Sequence, residues 1–298
     1  MVSLDYQIID AFTSKPFAGN PAAVIVLDTD EYPEDSFLLN IAREFNLSET
    51  AFLIPFHTSG NDFFHLRWFT PTTEVDLCGH ATLASAHVLF STRNEDSSSL
   101  TFHTKSGALI ATKRGDLIEL DFPEELVGAK PFSSLEEQAH LEGVLEVALP
   151  DTKILNIARN RVDYLIEIDS TAHGLQSLPV DISALKHFQA RGVIITTAAR
   201  VPGLDFHSRG FFPLSGVDED PVTGSAHCML GPYWIDKLGK RVVRATQGGP
   251  RTGEIEVEWD PVKKRVYLRG SAVMVAKGSI MKPTVHLPGD AHSDSRTP

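Results

Sequence analysis

The chain has 298 residues, 42% of them hydrophobic and 22% charged, with a formal net charge of −12. That length suits two domains better than one core, and the composition is that of an ordinary soluble globular protein. A chain this acidic, with no stripe of Lys and Arg, argues against nucleic acid and against anionic membrane surfaces as partners, because both are held by clustered cations.

The opening MVSLDYQIIDAF is interrupted by Asp5 and Asp10 and has no basic segment ahead of a long apolar run. It reads as a strand and not as a signal peptide. AAVIVL, Ala22 to Leu27, is a second strand and too short to span a bilayer. Two cysteines make no disulfide framework, so the expected setting is reducing and cytoplasmic. Pro33 to Phe45 carries Phe37, Leu38, Ile41, Ala42 and Phe45 on one face, the pattern of an amphipathic helix. TAFLIPF and DFFHLRWF follow as strands; in the second, Phe64, Leu66 and Trp68 alternate with His65 and Arg67. ATLASAHVLF is a second helix and STRNEDSSSL a polar surface loop. LTFHT, ALIATKR and LIELDF are strands turning at Gly107 and RGD.

Proline, glycine, serine and acidic residues then cluster at Pro123 to Gln138. This marks the expected domain boundary, giving domains 1–125 and 126–285 and a polar tail at 286–298. Beyond it come strands ILNIAR and YLIEID, helix DISALKHFQ, strands GVIITTA and LDFHSRGFF, loop PLSGVDEDPVTG and helix SAHCMLGPYWIDKLG. VVRATQ, EIEVEW, RVYLRG and AVMVAKGSIM close the series as strands, with the glutamates of EIEVEW forming one wet face.

Each half enters a helix through a glycine turn: Asp76-Leu-Cys-Gly79-His80-Ala81 in the first, Asp220-Pro-Val-Thr-Gly224-Ser225-Ala226 in the second. A short pattern recurring at matching places indicates a duplicated domain with a cleft between the copies. Helix N-termini offer free N–H groups and a positive dipole end, and glycine permits close approach, so a facing pair suits a carboxylate ligand. Taken singly, Gly79 and Gly224 equally fit plain tight turns, His80 and Ser225 are ordinary helix-start residues, and Asp220 before proline is a turn former.

Cys78 beside His80 has the look of a nucleophile and base, but a small buried residue at a tight turn accounts for it as well. Racemases that use two thiolates need a matching cysteine in the second half. That half has only Cys228, three residues beyond Ser225. There are twelve histidines but no HExxH, no paired CxxC and no glycine-rich phosphate loop, so neither metal nor cofactor is implied. Glu49, in FNLSETAFL, stands at a helix-to-strand junction where catalytic groups often sit. By its own surroundings it is equally an exposed turn residue or a capping partner of Asn46.

Four stretches in order, AGNPAAV (Ala18 to Val24), NLSET (Asn46 to Thr50), RWFTPTTEVDLCGHATLASAHVLF (Arg67 to Phe90) and DEDPVTGSAHCMLGPYW (Asp218 to Trp234), resemble the PhzF-like family of phenazine-biosynthesis-like isomerases up to about Lys282. QGGPRTGEIEV is similar to the phenazine-biosynthesis-like-domain proteins in particular. The resemblance implies the α+β diaminopimelate-epimerase-like fold, two similar domains each with a curled, mostly antiparallel sheet around a central helix, the last strand returning to the first domain. It also implies a homodimer. It maps the family's acid/base glutamate onto Glu49, polar partners onto His80, Asp220 and Ser225, and ligand-binding turns onto Gly79 and Gly224. The expected activity is a cofactor-independent proton shift within a small carboxylate-bearing substrate; in the phenazine enzyme that substrate is a dihydroxylated cyclohexadiene carboxylate. A non-catalytic binding protein on the same scaffold and a thiol epimerase using Cys78 alone are the rival expectations.

Overall fold

The computed structural model describes residues 3–56, 62–128, 130–169 and 174–281; the polar stretch 286–298, expected as a tail, lies outside the described residues. In chain order the strands are β1 (Ser3–Ala11), β2 (Asn20–Val26), β3 (Glu49–Pro55), β4 (Phe63–Phe69), β5 (Glu74–Val75), β6 (Ser99–Thr104), β7 (Gly107–Arg114), β8 (Leu117–Pro123) and β9 (Ile154–Arg159). They continue as β10 (Asp163–Ile168), β11 (Gly192–Ala198), β12 (Phe206–Phe212), β13 (Val217–Asp220), β14 (Val242–Gln247), β15 (Gly253–Asp260), β16 (Arg265–Gly270) and β17 (Ala272–Met281). The helices are α1 (Asp35–Phe45), α2 (Gly79–Thr92), α3 (Leu135–Ala148), α4 (Ile182–Leu185) and α5 (Gly224–Leu238).

Strand pairing writes the duplication out in full. In the first half β1 pairs antiparallel with β2, β2 parallel with β3, β3 antiparallel with β4, and β4 both antiparallel with β5 and parallel with β6; β6, β7 and β8 then form an antiparallel run. The second half repeats every step from β9 to β16. The copies join where β8 meets β16 antiparallel, with Leu120 opposite Leu268, and β17 runs antiparallel to β1.

Each sheet curls around one helix. Leu83, Ala84, Leu89 and Phe90 of α2 lie in the same core as Ala51 and Leu53 of β3 and Leu100 and Phe102 of β6. Enclosure on all sides explains why α2 has no wet face. Its Thr82 and Ser85 donate to the Cys78 and Ala81 carbonyls at 2.5 and 2.7 Å, so their hydroxyls stay satisfied in apolar surroundings. Alternate residues of the same strands face outward into two further clusters. Phe52 and Ile54 pack under Leu38 and Ile41 of α1, while Ile166 and Ile195 pack under Leu141, Leu145 and Leu185 of α3 and α4. Strands covered on both faces need apolar residues at successive positions, which is why AAVIVL and GVIITTA do not alternate. Burying Leu83 and Leu89, both 0% exposed, contributes about 2 kcal/mol apiece.

The structure adds to the sequence reading at four places. The segment expected only as a boundary runs into α3, which Ser134 caps by accepting from the Glu137 N–H at 3.1 Å, while Glu137 accepts from the Ser133 N–H at 2.6 Å. The loop PLSGVDEDPVTG contains β13. STRNEDSSSL gives Ser91 and Thr92 to α2 and buries Asn94. The outward glutamates of β15 are held by cations, Glu256 and Glu258 by Arg269 and Glu256 also by Arg244.

Pro232 lies inside α5. A proline lacks the N–H that would bond four residues back, and the carbonyl so released, that of Cys228, accepts instead from the Glu125 N–H at 3.1 Å. The chain leaving β8 is thereby docked on α5.

Candidate active site

The first turns of α2 and α5 meet between the halves. A Cβ built on Gly79 would lie 3.3 Å from the Cα of Gly224, and one on Gly224 would lie 3.4 Å from the Cα of Gly79. A side chain at either position would push the opposite helix start away by a few tenths of an ångström, a constraint that a tight turn alone does not impose. Cys78 and Thr223 are the matching N-caps, both extended and neither making a side-chain cap hydrogen bond. The helix-start N–H groups and dipole ends therefore converge on one place.

Glu49 begins β3 directly beside this junction. Its side chain is 17% exposed, yet Oε2 is sealed off and has no hydrogen-bond partner among the described residues. His80 Nε2 lies 3.2 Å away and is equally sealed and unpartnered; the two atoms are close but not aligned for a hydrogen bond. Burial, then the nearby Asp220 charge, push the Glu49 carboxyl up to about 8, against a smaller opposing effect of the Cys78 thiol. Burial pushes His80 down to about 3, so its ring is neutral at physiological pH.

Asp220 ends β13 and is raised to about 6, chiefly by burial, with Thr223 and Asn20 opposing. Its Oδ1 accepts from Asn20 Nδ2 at 2.7 Å and its Oδ2 from the Thr223 hydroxyl at 2.5 Å. Glu49, His80, Asp220, Gly79 and Gly224 are thus brought together from both halves. Ser225 sits half-buried in the first turn of α5, at the place matching His80 in α2.

Asn20, at the start of β2, was not singled out from sequence. It is 0% exposed, and its Nδ2 lies 3.0 Å from the Val222 carbonyl and 3.2 Å from His80 Nδ1 as well as against Asp220. Its Oδ1 accepts from the Ser48 hydroxyl at 3.4 Å. The only sequence signal for it was its place in AGNPAAV.

The duplication does not extend to the carboxyl. The parallel pairing of β2 and β3 begins with Ala22 opposite Glu49, and that of β10 and β11 begins with Asp163 opposite Gly192. A Cβ at Gly192 would lie 2.4 Å from the Phe212 ring, which fills the space a second carboxyl would need.

Cys78 is 7% exposed, with Sγ 3.4 Å from His80 Nδ1. Burial first, then the Glu49 charge, hold its thiol well above the usual range. Glu49, Cys78 and His80 offer donor atoms within 4.8 Å of one another, a spacing compatible with a metal ion. The thiol, however, addresses Nδ1 of the imidazole and the carboxyl addresses Nε2. The ring can give a shared ion only one of these atoms. A cavity of 280 Å³ lined by Phe12, Arg244 and Arg269 and another of 580 Å³ beside α3 and β9 lie away from this cluster.

Two matched sheets, each wound on a helix, with the helix starts meeting over a buried carboxyl, define an epimerase-like scaffold. Residues 9–278 match the family model described as phenazine biosynthesis-like protein, and the chain belongs to that family as an isomerase of its type. It is 46% identical to an uncharacterized isomerase of Halalkalibacterium halodurans over 94% of this chain and 100% of the relative. It is 42% identical to phenazine biosynthesis-like domain-containing protein 2 of Mus musculus over 94% and 99%. A crystal structure of a PhzF-family phenazine biosynthesis protein from Enterococcus faecalis superposes with a TM-score of 0.82 at 39% identity, over 94% of this chain and 100% of that one. A probable proline racemase from Agrobacterium radiobacter shares the fold alone, at TM-score 0.57 and 12% identity over 97% and 94%. Among the described residues no helix is long and apolar enough to cross a membrane.

Proposed function

We propose that the protein is a cofactor-independent isomerase that moves a proton within a small carboxylate-bearing substrate, with Glu49 as the general acid/base. The observation that carries this reading is the sealed, unpartnered Glu49 Oε2 facing the sealed, unpartnered His80 Nε2 at the junction of the two helix starts. A carboxyl raised to about 8 has both of its forms within reach near neutral pH, so it can deliver a proton to one carbon and take one from another. The neutral His80 ring and the half-buried Ser225 hydroxyl offer hydrogen bonds to the substrate. The first-turn amides of α2 and α5 receive its carboxylate and stabilise charge that develops as the proton leaves. With Gly192 at the place matching Glu49, a single carboxyl serves both transfers.

The reading is tested with a dihydroxylated cyclohexadiene carboxylate, the substrate class of the phenazine enzyme, in deuterated water. Wild type incorporates solvent deuterium as it isomerises the compound. Glu49→Gln binds it with little change and incorporates none. Full turnover by Glu49→Gln would sink the assignment.

A further inference from the structure

We infer that Asn20 is a positioning residue, a latch across the cleft that holds Asp220 of the second half in fixed register with Glu49 and His80 of the first. Asn20 belongs to the first half, where β2 pairs with β3 from Ala22 opposite Glu49. Its amide reaches about two-thirds of the chain length forward, to Asp220 Oδ1 at 2.7 Å and to the Val222 carbonyl at 3.0 Å. Both are acceptors, so the amide nitrogen must face them, and this orientation leaves Oδ1 to accept from Ser48, the residue before Glu49. One fully buried side chain therefore touches the strand start that carries Glu49, the His80 ring and both ends of the Asp220–Val222 turn.

The latch also settles what Asp220 can do. Asn20 occupies its Oδ1 and Thr223 its Oδ2, while Gln247 Nε2 binds the Asp220 carbonyl at 2.9 Å and the Thr223 hydroxyl at 2.9 Å. A carboxylate with a donor on each oxygen is a stationary anion, not a proton carrier. Arg191 and Glu219 supply the other charges acting on it, with opposite signs, while the Glu49 carboxyl feels its field. Asn20 thus acts on Glu49 through Asp220. The catalytic meaning of the latch rests on the assignment of Glu49 as acid/base; the hydrogen-bond network does not.

The test follows the carboxyl carbons of Asp220 and Glu49 by carbon-13 NMR through a pH titration of the full chain, with no substrate present. Failure of the isomerase reading and failure of the latch are therefore separable. In Asn20→Ala one donor is gone, and the Asp220 midpoint rises by about one pH unit or more. In the isosteric Asn20→Asp an acceptor replaces the donor, and the Asp220 midpoint rises further. The Glu49 midpoint moves less, because Asp220 is still mostly ionised at the pH where Glu49 titrates. An Asp220 midpoint that stays at the wild-type value in folded Asn20→Ala or Asn20→Asp would overturn the latch. If neither variant folds, Thr223→Val removes the other donor. There the Asn20 side-chain amide is followed instead: its Nδ2 resonance shifts as Asp220 titrates, because it still bonds Oδ1, and an Asn20 amide that does not respond to the Asp220 titration would overturn the latch.

Discussion

Glu49 Oε2 and His80 Nε2 lie 3.2 Å apart, each sealed from solvent and each without a hydrogen-bond partner among the described residues. A buried polar atom left unpaired costs about 1–3 kcal/mol, and two such atoms facing each other make a standing demand for a third group. A substrate group that approaches both atoms from one side meets that demand.

The first prediction concerns the pH profile of turnover. Asp220, raised to about 6, is ionised above that pH, and Glu49, raised to about 8, is protonated below that pH. Turnover that starts from protonated Glu49 beside ionised Asp220 is bell-shaped, falling below about 6 and above about 8. Asp220→Asn removes the acid limb and leaves an alkaline one, displaced downward because the charge that helps to raise Glu49 is gone. A wild-type rate that stays flat from about pH 7 to about pH 9, roughly one unit either side of the Glu49 midpoint, contradicts the assignment.

The same carboxyl sets a stability prediction. Glu49 has a higher pKa folded than unfolded, so between about 4.3 and about 8 the native state binds more protons than the unfolded one. Stability therefore falls as pH rises through that window, by on the order of 5 kcal/mol from this group. Glu49→Gln carries no charge to desolvate. It should match wild type in denaturant melts at pH 4 and exceed it at pH 8, while losing activity. Equal stability of the two proteins at pH 8 would show that the carboxyl is not buried against its charge.

Much of this was legible in the residues and some was not. The glycine turns before α2 and α5 announced the duplication because a helix start in close contact with another has few sequence solutions. Glu49 was not legible from its neighbours. Its oxygen is sealed by His80 and lies in the field of Asp220, groups brought in from far along the chain, and only the family resemblance pointed to it. Asn20 was hidden for the same reason, since its partners are Asp220 and Val222. The omission of α3 is different in kind. Ser134 and Glu137 spell a capping box, and Leu141, Val144, Leu145 and Ala148 follow at helical spacing. The boundary's proline and glycine content masked a local signal that was present.

Both cysteines should be inert in the native protein. Burial holds the Cys78 thiol well above its usual range and pushes Cys228 up to about 12. Iodoacetamide at pH 8, about half a unit below a free thiol's pKa, should label neither until the chain is denatured and then both. Cys78→Ala should keep most of the turnover at a stability cost of about 1 kcal/mol for the lost contacts. Loss of activity in a folded Cys78→Ala would return the thiol to the mechanism.

The contact between Gly79 and Gly224 yields the last prediction. In Gly79→Ala the new methyl lies 3.3 Å from the Gly224 Cα, and in Gly224→Ala it lies 3.4 Å from the Gly79 Cα. Each single change forces the helix starts apart by a few tenths of an ångström, which should cost about 1–3 kcal/mol. The two methyls also face each other, so the double variant meets a clash that neither single variant contains. Its destabilisation should exceed the sum of the singles by about 1 kcal/mol or more, where distant sites would add. Turnover should drop more steeply than stability, because the first-turn amides proposed to receive the substrate carboxylate move with the helices. Gly143→Ala is the control: it lies in α3 with no atom within 4 Å of the added Cβ, and should stabilise by up to about 1 kcal/mol with activity unchanged. Simple additivity in the double variant, with the singles near neutral, would mean that the two helix starts do not meet in solution. The anion-receiving junction would then have to be given up.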